Sequence, residues 1–417
     1  MHWNSRITTA FMPRLTSGRL GRRAAFAAVA FALSVAMLGT TLPTPLYDLY
    51  RARFGFSELM VTVVFAVYAA GVIGALLVFG HVSDQVGRRR TLLAGLALSA
   101  LGALTFLLAN GLPLLVIGRI LSGLSAGLFT GTATATLVDL APAQPRGRAA
   151  FTATVANTGG LGLGTLVAGI VSQWLDSPLQ TVFWVDLALL AATAVGIWLM
   201  PEPVAHPTRL NLRPQLPSIP AAVRTRFVQA AIGVFAGFAV LGLFTAVTPA
   251  LLAQELAITS RAAIGLVVFA VFAASMLGQA ALDRLPGGAA LPVGCALLIA
   301  GMGALALGLV SSSLVALVVA AVVSGLGQGI SFRAGMTAVT AESPPERRAE
   351  TVSSLFVVAY AALAVPVVGE GLLAATVGLQ AAGVAFAGVV ATLCAAVLVL
   401  LWQRHAVRAV VAHAGAQ

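Results

Sequence analysis

Twelve runs of about twenty residues with almost no charge follow one another along this chain of 417 residues, and no other property restricts its fold so strongly. A hydrocarbon core roughly 30 Å thick is crossed by about 20 residues of helix. Backbone amides inside it find no water, so each run has to satisfy its own hydrogen bonds as a helix. The runs fall at 24–45, 59–80, 91–110, 113–138, 149–172 and 180–200, then at 227–253, 262–282, 288–309, 312–338, 351–373 and 377–402. Hydrophobic residues make up 59% of the chain and charged residues only 9%, against about 25% charged in soluble domains. The basic first 23 residues precede an apolar run that is long and has no small-x-small cleavage site, so it reads as an uncleaved first span rather than a signal peptide. The expected organisation is an N-terminal segment at 1–23, six spans within 24–200, a proline-rich linker at 201–226, six spans within 227–402, and a tail at 403–417.

Arginine placement gives the expected orientation. The chain has no lysine and 24 arginines, and 19 of these fall on one side if both termini are cytoplasmic; Arg51, Arg53 and Arg261 fall on the other, and Arg119 and Arg333 lie within spans. Positive charge is retained on the cytoplasmic side, so both termini are expected inside. The net charge of +11 then reflects topology and contact with anionic lipid, not nucleic acid, because the arginines are spread over many loops. The arginine bias suggests a GC-rich bacterial genome, and with it the bacterial inner membrane.

The two halves repeat one another. Val64 to Gly74 reads V-F-A-V-Y-A-A-G-V-I-G and Val268 to Gly278 reads V-F-A-V-F-A-A-S-M-L-G, seven identities in eleven at an offset of 204. Ser122-Gly123-Leu124 with Gly127, Pro142 and Arg146 recurs as Ser324-Gly325-Leu326 with Gly329, Pro344 and Arg348 at an offset of 202. Six spans per half keep the repeats parallel in the bilayer, and a cavity is expected where they meet. That arrangement suits alternating access by two rocking bundles.

The loop Gly80 to Arg90, G-H-V-S-D-Q-V-G-R-R-R, carries a carboxylate, a turn glycine and three guanidiniums between the second and third spans. It resembles the signature G-x-L-x-D-R/K-x-G-R-R/K of the major facilitator superfamily. Gly80, Asp84, Gly87, Arg88 and Arg89 match; Val82 replaces the leucine and Gln85 a cation. The resemblance implies an all-α membrane protein, two six-helix bundles around a central cavity, usually monomeric. It also implies a charge network of these residues with Asp139 at the end of the fourth span, reaching the start of the eleventh span near Thr351 and holding a cytoplasmic gate. The plainer reading leaves the arginines as anchors in lipid headgroups. Arg119, in R-I-L-S-G, resembles R-x-x-Q/S-G of proton-coupled members; unless it snorkels to the nearby surface, it faces a partner or a wet cavity. Gly160, Gly164, Thr165 and Gly169 resemble the antiporter pattern G-x3-G-P-x2-G-G, with threonine in place of the proline and Ala168 in place of one glycine; small residues at that spacing also serve close helix packing alone. The segment Leu42 to Tyr50, with Tyr360 and Pro366, is similar to bacterial permeases assigned to drug or sugar efflux.

Proton coupling requires a carboxyl that gains and loses a proton. The candidates are Asp48, Asp186 and Glu370; the first two are expected near the outer interface with solvation as the plain account, whereas Glu370 falls in an apolar stretch. Candidates for the substrate cavity are Tyr68, Asn157, Gln328, Arg333 and Tyr360, with pairing of Arg333 to a loop carboxylate such as Glu342 as an equal reading. No metal set is present, Cys295 and Cys394 lie within spans and imply no disulfide framework, and no phosphate-binding loop occurs. No cofactor is expected, and the proton gradient is the expected energy source. Gly123-Leu-Ser-Ala-Gly127 matches G-x-S-x-G, but a nucleophile elbow needs a strand and a histidine, and all five histidines lie outside the spans. The expected function is secondary transport by alternating access, proton-coupled efflux of a small drug-like molecule or sugar. Symport or uniport on the same fold is the alternative, and a membrane enzyme a remote one. The expected partners are the substrate, protons and the lipid bilayer.

Overall fold

A computed structural model describes residues 19–80, 82–141, 146–204, 219–286, 288–344 and 347–414 of the chain. Among them twelve helices are long and apolar enough to cross a membrane. They are α1 (Arg22–Thr41), α2 (Glu58–Phe79), α3 (Arg88–Leu107), α4 (Leu112–Leu140), α5 (Arg146–Trp174), α6 (Pro178–Leu199), α7 (Arg224–Ala246), α8 (Arg261–Ala281), α9 (Ala290–Val310), α10 (Leu314–Glu342), α11 (Arg348–Val377) and α12 (Leu379–Ala414). Residues 1–18, linker residues 205–218, Pro142 and residues 415–417 lie outside the described residues.

Three elements depart from the expected runs, each for a local reason. After Thr41 the chain passes through the turn Thr44–Leu46 into a further helix, Tyr47–Phe54, because Pro43 and Pro45 supply no amide for a continuous ladder. The seventh span is broken at Val247 and resumes as Thr248–Gln254, with Pro249 as the cause. α12 continues into the expected tail and ends at Ala414. Elsewhere the caps are conventional: the hydroxyls of Ser57 and Ser260 accept the amides of Met60 and Ala263 at the starts of α2 and α8. At the offset of 204 these two caps lie one residue out of register in the repeat.

Packing repeats with the sequence. α2 crosses α4 as α8 crosses α10, and α3 packs on α4 and α6 as α9 packs on α10 and α12. At the first crossing a Cβ on Gly123 would meet the Tyr68 carbonyl, and at the second a Cβ on Gly325 would meet the Val271 carbonyl. The serine before each glycine lies against another glycine across the next seam, Ser122 on Gly102 and Ser324 on Gly301. Small residues here let backbones touch, which is how helices associate where lipid removes the hydrophobic drive.

The two six-helix bundles meet along two seams, α2 with α11 and α5 with α8. Apart from two long contacts of 3.5 Å across the α5–α8 seam, Gln279 to Thr158 and Thr165 to Gly265, the hydrogen-bonded ties between them gather at the face opposite the termini. There the Arg261 amide donates to Gln173 at 2.8 Å and its guanidinium to the Ser172 carbonyl at 3.0 Å. The Gln254 amide donates to Glu58, which Arg51 also holds at 2.7 Å. On the face that carries the termini, the ion pairs among the described residues each stay within one bundle: Arg88 with Asp84 and Asp139, Arg226 with Glu342, Arg333 with Asp283, Arg347 with Glu350. The far face is therefore the sealed one.

Candidate functional site

Close packing of α4 on α2 places Arg119 beside α1. The side chain is 0% exposed, and instead of reaching the surface it turns inward, where Nη1 donates to the Thr40 carbonyl at 2.5 Å. Three rings surround the guanidinium, Tyr47 at 5.3 Å, Tyr68 at 5.5 Å and Phe65 at 5.6 Å from its carbon to their centroids. Such contacts stabilise a cation through the ring quadrupole. Nε and Nη2 are buried and have no hydrogen-bond partner.

Arg119, Tyr68 and Tyr360 line one cavity of about 50 Å³ between the bundles, with Thr40, Thr41 and Thr245 and a wall that includes Phe65, Phe238, Leu241 and Phe272. Tyr68 and Phe272 are the same position of the repeat, so each half contributes one ring. Tyr68 meets Tyr360 edge-on at 6.3 Å, and Tyr360 meets Phe238 at 6.4 Å, which carries an aromatic layer across the seam. The threonines and apolar residues had no signal in the sequence, because the same types fill every helix contact in this chain.

Glu370 lines a second cavity of about 30 Å³ nearer the sealed face, with Tyr47, Asp48, Glu58 and Thr62 of the other bundle. It is 3% exposed, and neither carboxylate oxygen has a hydrogen-bond partner. Tyr47 belongs to both sites: it lines this cavity and its ring faces Arg119. Asp186 corrects the expectation of a solvated interfacial acid. It is 2% exposed, packs against Gly39 of α1, and leaves Oδ1 unpartnered.

Arg88 is the hub of the loop after α2. It reaches Asp84 at 2.6 Å, Ser83 at 2.6 Å and Asp139 at 3.2 Å. Gly80 precedes this loop at the end of α2, and Gly87 takes φ +103°, a conformation for which glycine is the default residue. Against it lies Glu202, a linker residue that sequence reasoning passed over. Its oxygens accept the amides of Arg88 at 2.8 Å and Arg89 at 3.0 Å, a carboxylate at the positive end of α3. The expected link from Asp84 to α11 is corrected: Asp84 is half exposed and pairs with Arg88, while the Thr351 hydroxyl donates to the Arg347 carbonyl. With the bundles tied together at the other face, the ion pairs of Arg88 among the described residues stay within its own half. Glu202→Ala is expected to lower thermal stability by about 1 kcal/mol, the usual worth of a helix cap, read as the melting temperature in detergent.

The remaining candidates separate from the cavity. The Gln328 side chain accepts from Ser275 at 2.5 Å and lies against Gly237, binding α10 to its neighbours. Arg333 donates to both oxygens of Asp283, at 2.9 and 3.0 Å, and to the Gln279 carbonyl; its carboxylate partner is Asp283, because Glu342 is taken by Arg226. Neither residue lines the cavity, nor does Asn157, whose Oδ1 is buried without a partner. In α5, Gly160 and Gly164 face the α1 backbone, whereas Gly169 faces Gly265 and the Thr165 hydroxyl approaches the Gly265 carbonyl at 3.5 Å. This helix is thus the wedge between α1 and the second bundle. Ser125 donates to the Gly95 carbonyl at 2.8 Å, a packing contact of α4 on α3.

Two parallel six-helix bundles thus enclose a cavity lined by a fully buried arginine. The family profile of the Major Facilitator Superfamily matches residues 24–365, and the chain belongs to that family. A triacylglyceride transporter of Mycolicibacterium smegmatis is 34% identical over 137 residues, 33% of this chain and 24% of that protein. D-xylose-proton symporter-like 2 of Arabidopsis thaliana is 30% identical over 144 residues, 34% of this chain and 27% of that protein. The chain thus matches about a quarter of the length of these curated relatives. The crystal structure of a bacterial homologue of the human lysosomal transporter Spinster, inward-facing and unoccupied, superposes with a TM-score of 0.67 at 17% identity, covering 91% of this chain and 96% of that one.

Proposed function

We propose that this chain is a proton-coupled exporter of small organic molecules in the bacterial inner membrane, working as a monomer by rocking the units 24–200 and 227–402 about the central cavity. The observation that carries the reading is Glu370. A carboxyl at the seam of the two halves, buried, with both oxygens free of partners, has a proton as the natural occupant of those oxygens. Ionisable groups in spans mark ion and proton paths. The arginine distribution supports termini on the cytoplasmic side, and the sealed face then looks outward. The resemblance of Gly160, Gly164 and Gly169 to antiporters supports the export direction, and the name of one relative includes proton symport.

The test is transport in proteoliposomes holding an internal pH dye, under an imposed proton gradient, with lipophilic cations, organic anions and sugars added in turn. Proton flux opposite to substrate flux is the expected result. Protons moving with the substrate would make the protein a symporter, and substrate flux without protons a uniporter.

A further inference from the structure

We propose that the central cavity takes an amphipathic organic anion, a single carboxylate, sulfonate or phosphate group on an apolar body, with Arg119 as the residue that holds the anionic group. The inference rests on the reading of this cavity as the substrate path and adds the substrate class to it.

Arginine does not release its proton in a protein, so Arg119 is a permanent cation, and it is fully buried. The described residues place no carboxylate within 4.0 Å of it, every ion pair being made by another arginine. A buried charge left without a counter-ion is strongly unfavourable. One carbonyl, three rings and the neighbouring Tyr47 phenol offset part of that, and Nε and Nη2 make no hydrogen bond of good geometry. Glu370 and Asp186, the two buried acids, are not its partners. The repeat offers no second charge either, since Ala321 stands where the offset of 202 places the equivalent of Arg119.

The threonine hydroxyls of the cavity are already engaged. The hydroxyls of Thr40, Thr41 and Thr245 donate to the carbonyls of Met37 at 2.6 Å, Leu161 at 2.7 Å and Leu241 at 2.6 Å, so their protons are engaged. Two free guanidinium donors facing aromatic and aliphatic walls select a ligand with one anionic end and an apolar remainder. At about 50 Å³ the cavity suits the anionic group, with the body of the ligand lying between the halves. A cation meets like charge there, and a sugar finds few free donors.

The experiment is calorimetric titration of the full chain in nanodiscs with three probes: naphthalene-1-sulfonate, the matched cation (1-naphthylmethyl)trimethylammonium, and sodium chloride. The sulfonate is expected to bind and the cation not. Arg119→Gln is expected to weaken sulfonate binding at least about tenfold, the scale of a lost charge-assisted contact. Because Arg119→Gln risks misfolding, Phe65→Glu and Phe65→Gln give an independent reading beside the same guanidinium. Both variants remove the ring contact, and only the glutamate supplies an internal counter-ion, so sulfonate is expected to bind Phe65→Glu at least about tenfold more weakly than Phe65→Gln, a difference that reads the charge alone. Absence of sulfonate binding, equal sulfonate binding by Phe65→Glu and Phe65→Gln, or tighter binding of the cation would overturn the proposal. Chloride binding as tightly as the sulfonate would overturn the organic class and leave an inorganic-anion site. These are equilibrium binding results, so failure of proton coupling in liposomes leaves them standing, and their failure leaves the transport reading standing.

Discussion

Glu370→Gln is expected to reduce substrate-driven proton movement to background in proteoliposomes while substrate exchange across the membrane continues. Glutamine keeps the shape and the apolar surroundings of this site but has no exchangeable carboxyl proton. The site itself survives the change, since no hydrogen bond or ion pair of the folded protein ends on Glu370. Loss of coupling with retained exchange separates a proton carrier from a packing residue, whose replacement would lower both. If Glu370→Gln still moves protons, the role passes to Asp186, the other buried acid with an unpartnered oxygen, and Asp186→Asn becomes the deciding variant.

Gly164→Leu is expected to abolish recovery of folded protein. A Cβ at this position already overlaps the Thr41 hydroxyl and the Leu38 carbonyl of α1, and the backbone of α1 cannot retreat without moving Thr40, which holds Arg119. Overpacking a tight contact costs roughly 1–3 kcal/mol or more, and here the wedge helix of the whole assembly is displaced. Gly131→Leu is the control: nothing lies within 4 Å of a Cβ there. Size-exclusion profiles in detergent should show a monodisperse peak for Gly131→Leu and aggregate for Gly164→Leu. Equal profiles would mean that the α1–α5 contact does not govern folding.

The spans were legible because lipid imposes one requirement on all of them, apolar length with internal hydrogen bonding. Their interruptions were less so: the breaks near Pro45 and Pro249 are local steric events inside runs that hydropathy alone reads as continuous. The repeat was legible from two short matches, and the structure turns its glycines into the paired crossings of α2 with α4 and α8 with α10. Arg119, Tyr68 and Tyr360 stood out because a charge or a phenol is rare in such a chain, and they meet at one cavity. Rarity misled for Gln328 and Arg333, which pair with Ser275 and Asp283 respectively and do not line the cavity. Partners distant in sequence are what a single chain conceals: Asp283 lies 50 residues from Arg333 and Glu202 lies 114 from Arg88. The depth of Asp186 was hidden for the same reason, because its burial is made by Gly39 on another helix.

Alternating access requires the two bundles to part at the sealed face in each transport cycle, so tying them there should stop transport. A Cβ built on Gly371 of α11 lies 3.2 Å from the Cβ of Thr62 on α2, within a few tenths of the roughly 3.5–4.5 Å that a disulfide spans. In a Cys295→Ser/Cys394→Ser background, the pair Thr62→Cys/Gly371→Cys should carry substrate across proteoliposomes when reduced, stop when oxidised, and recover on addition of dithiothreitol. Undiminished flux through the fully cross-linked protein would contradict alternating access by these two bundles.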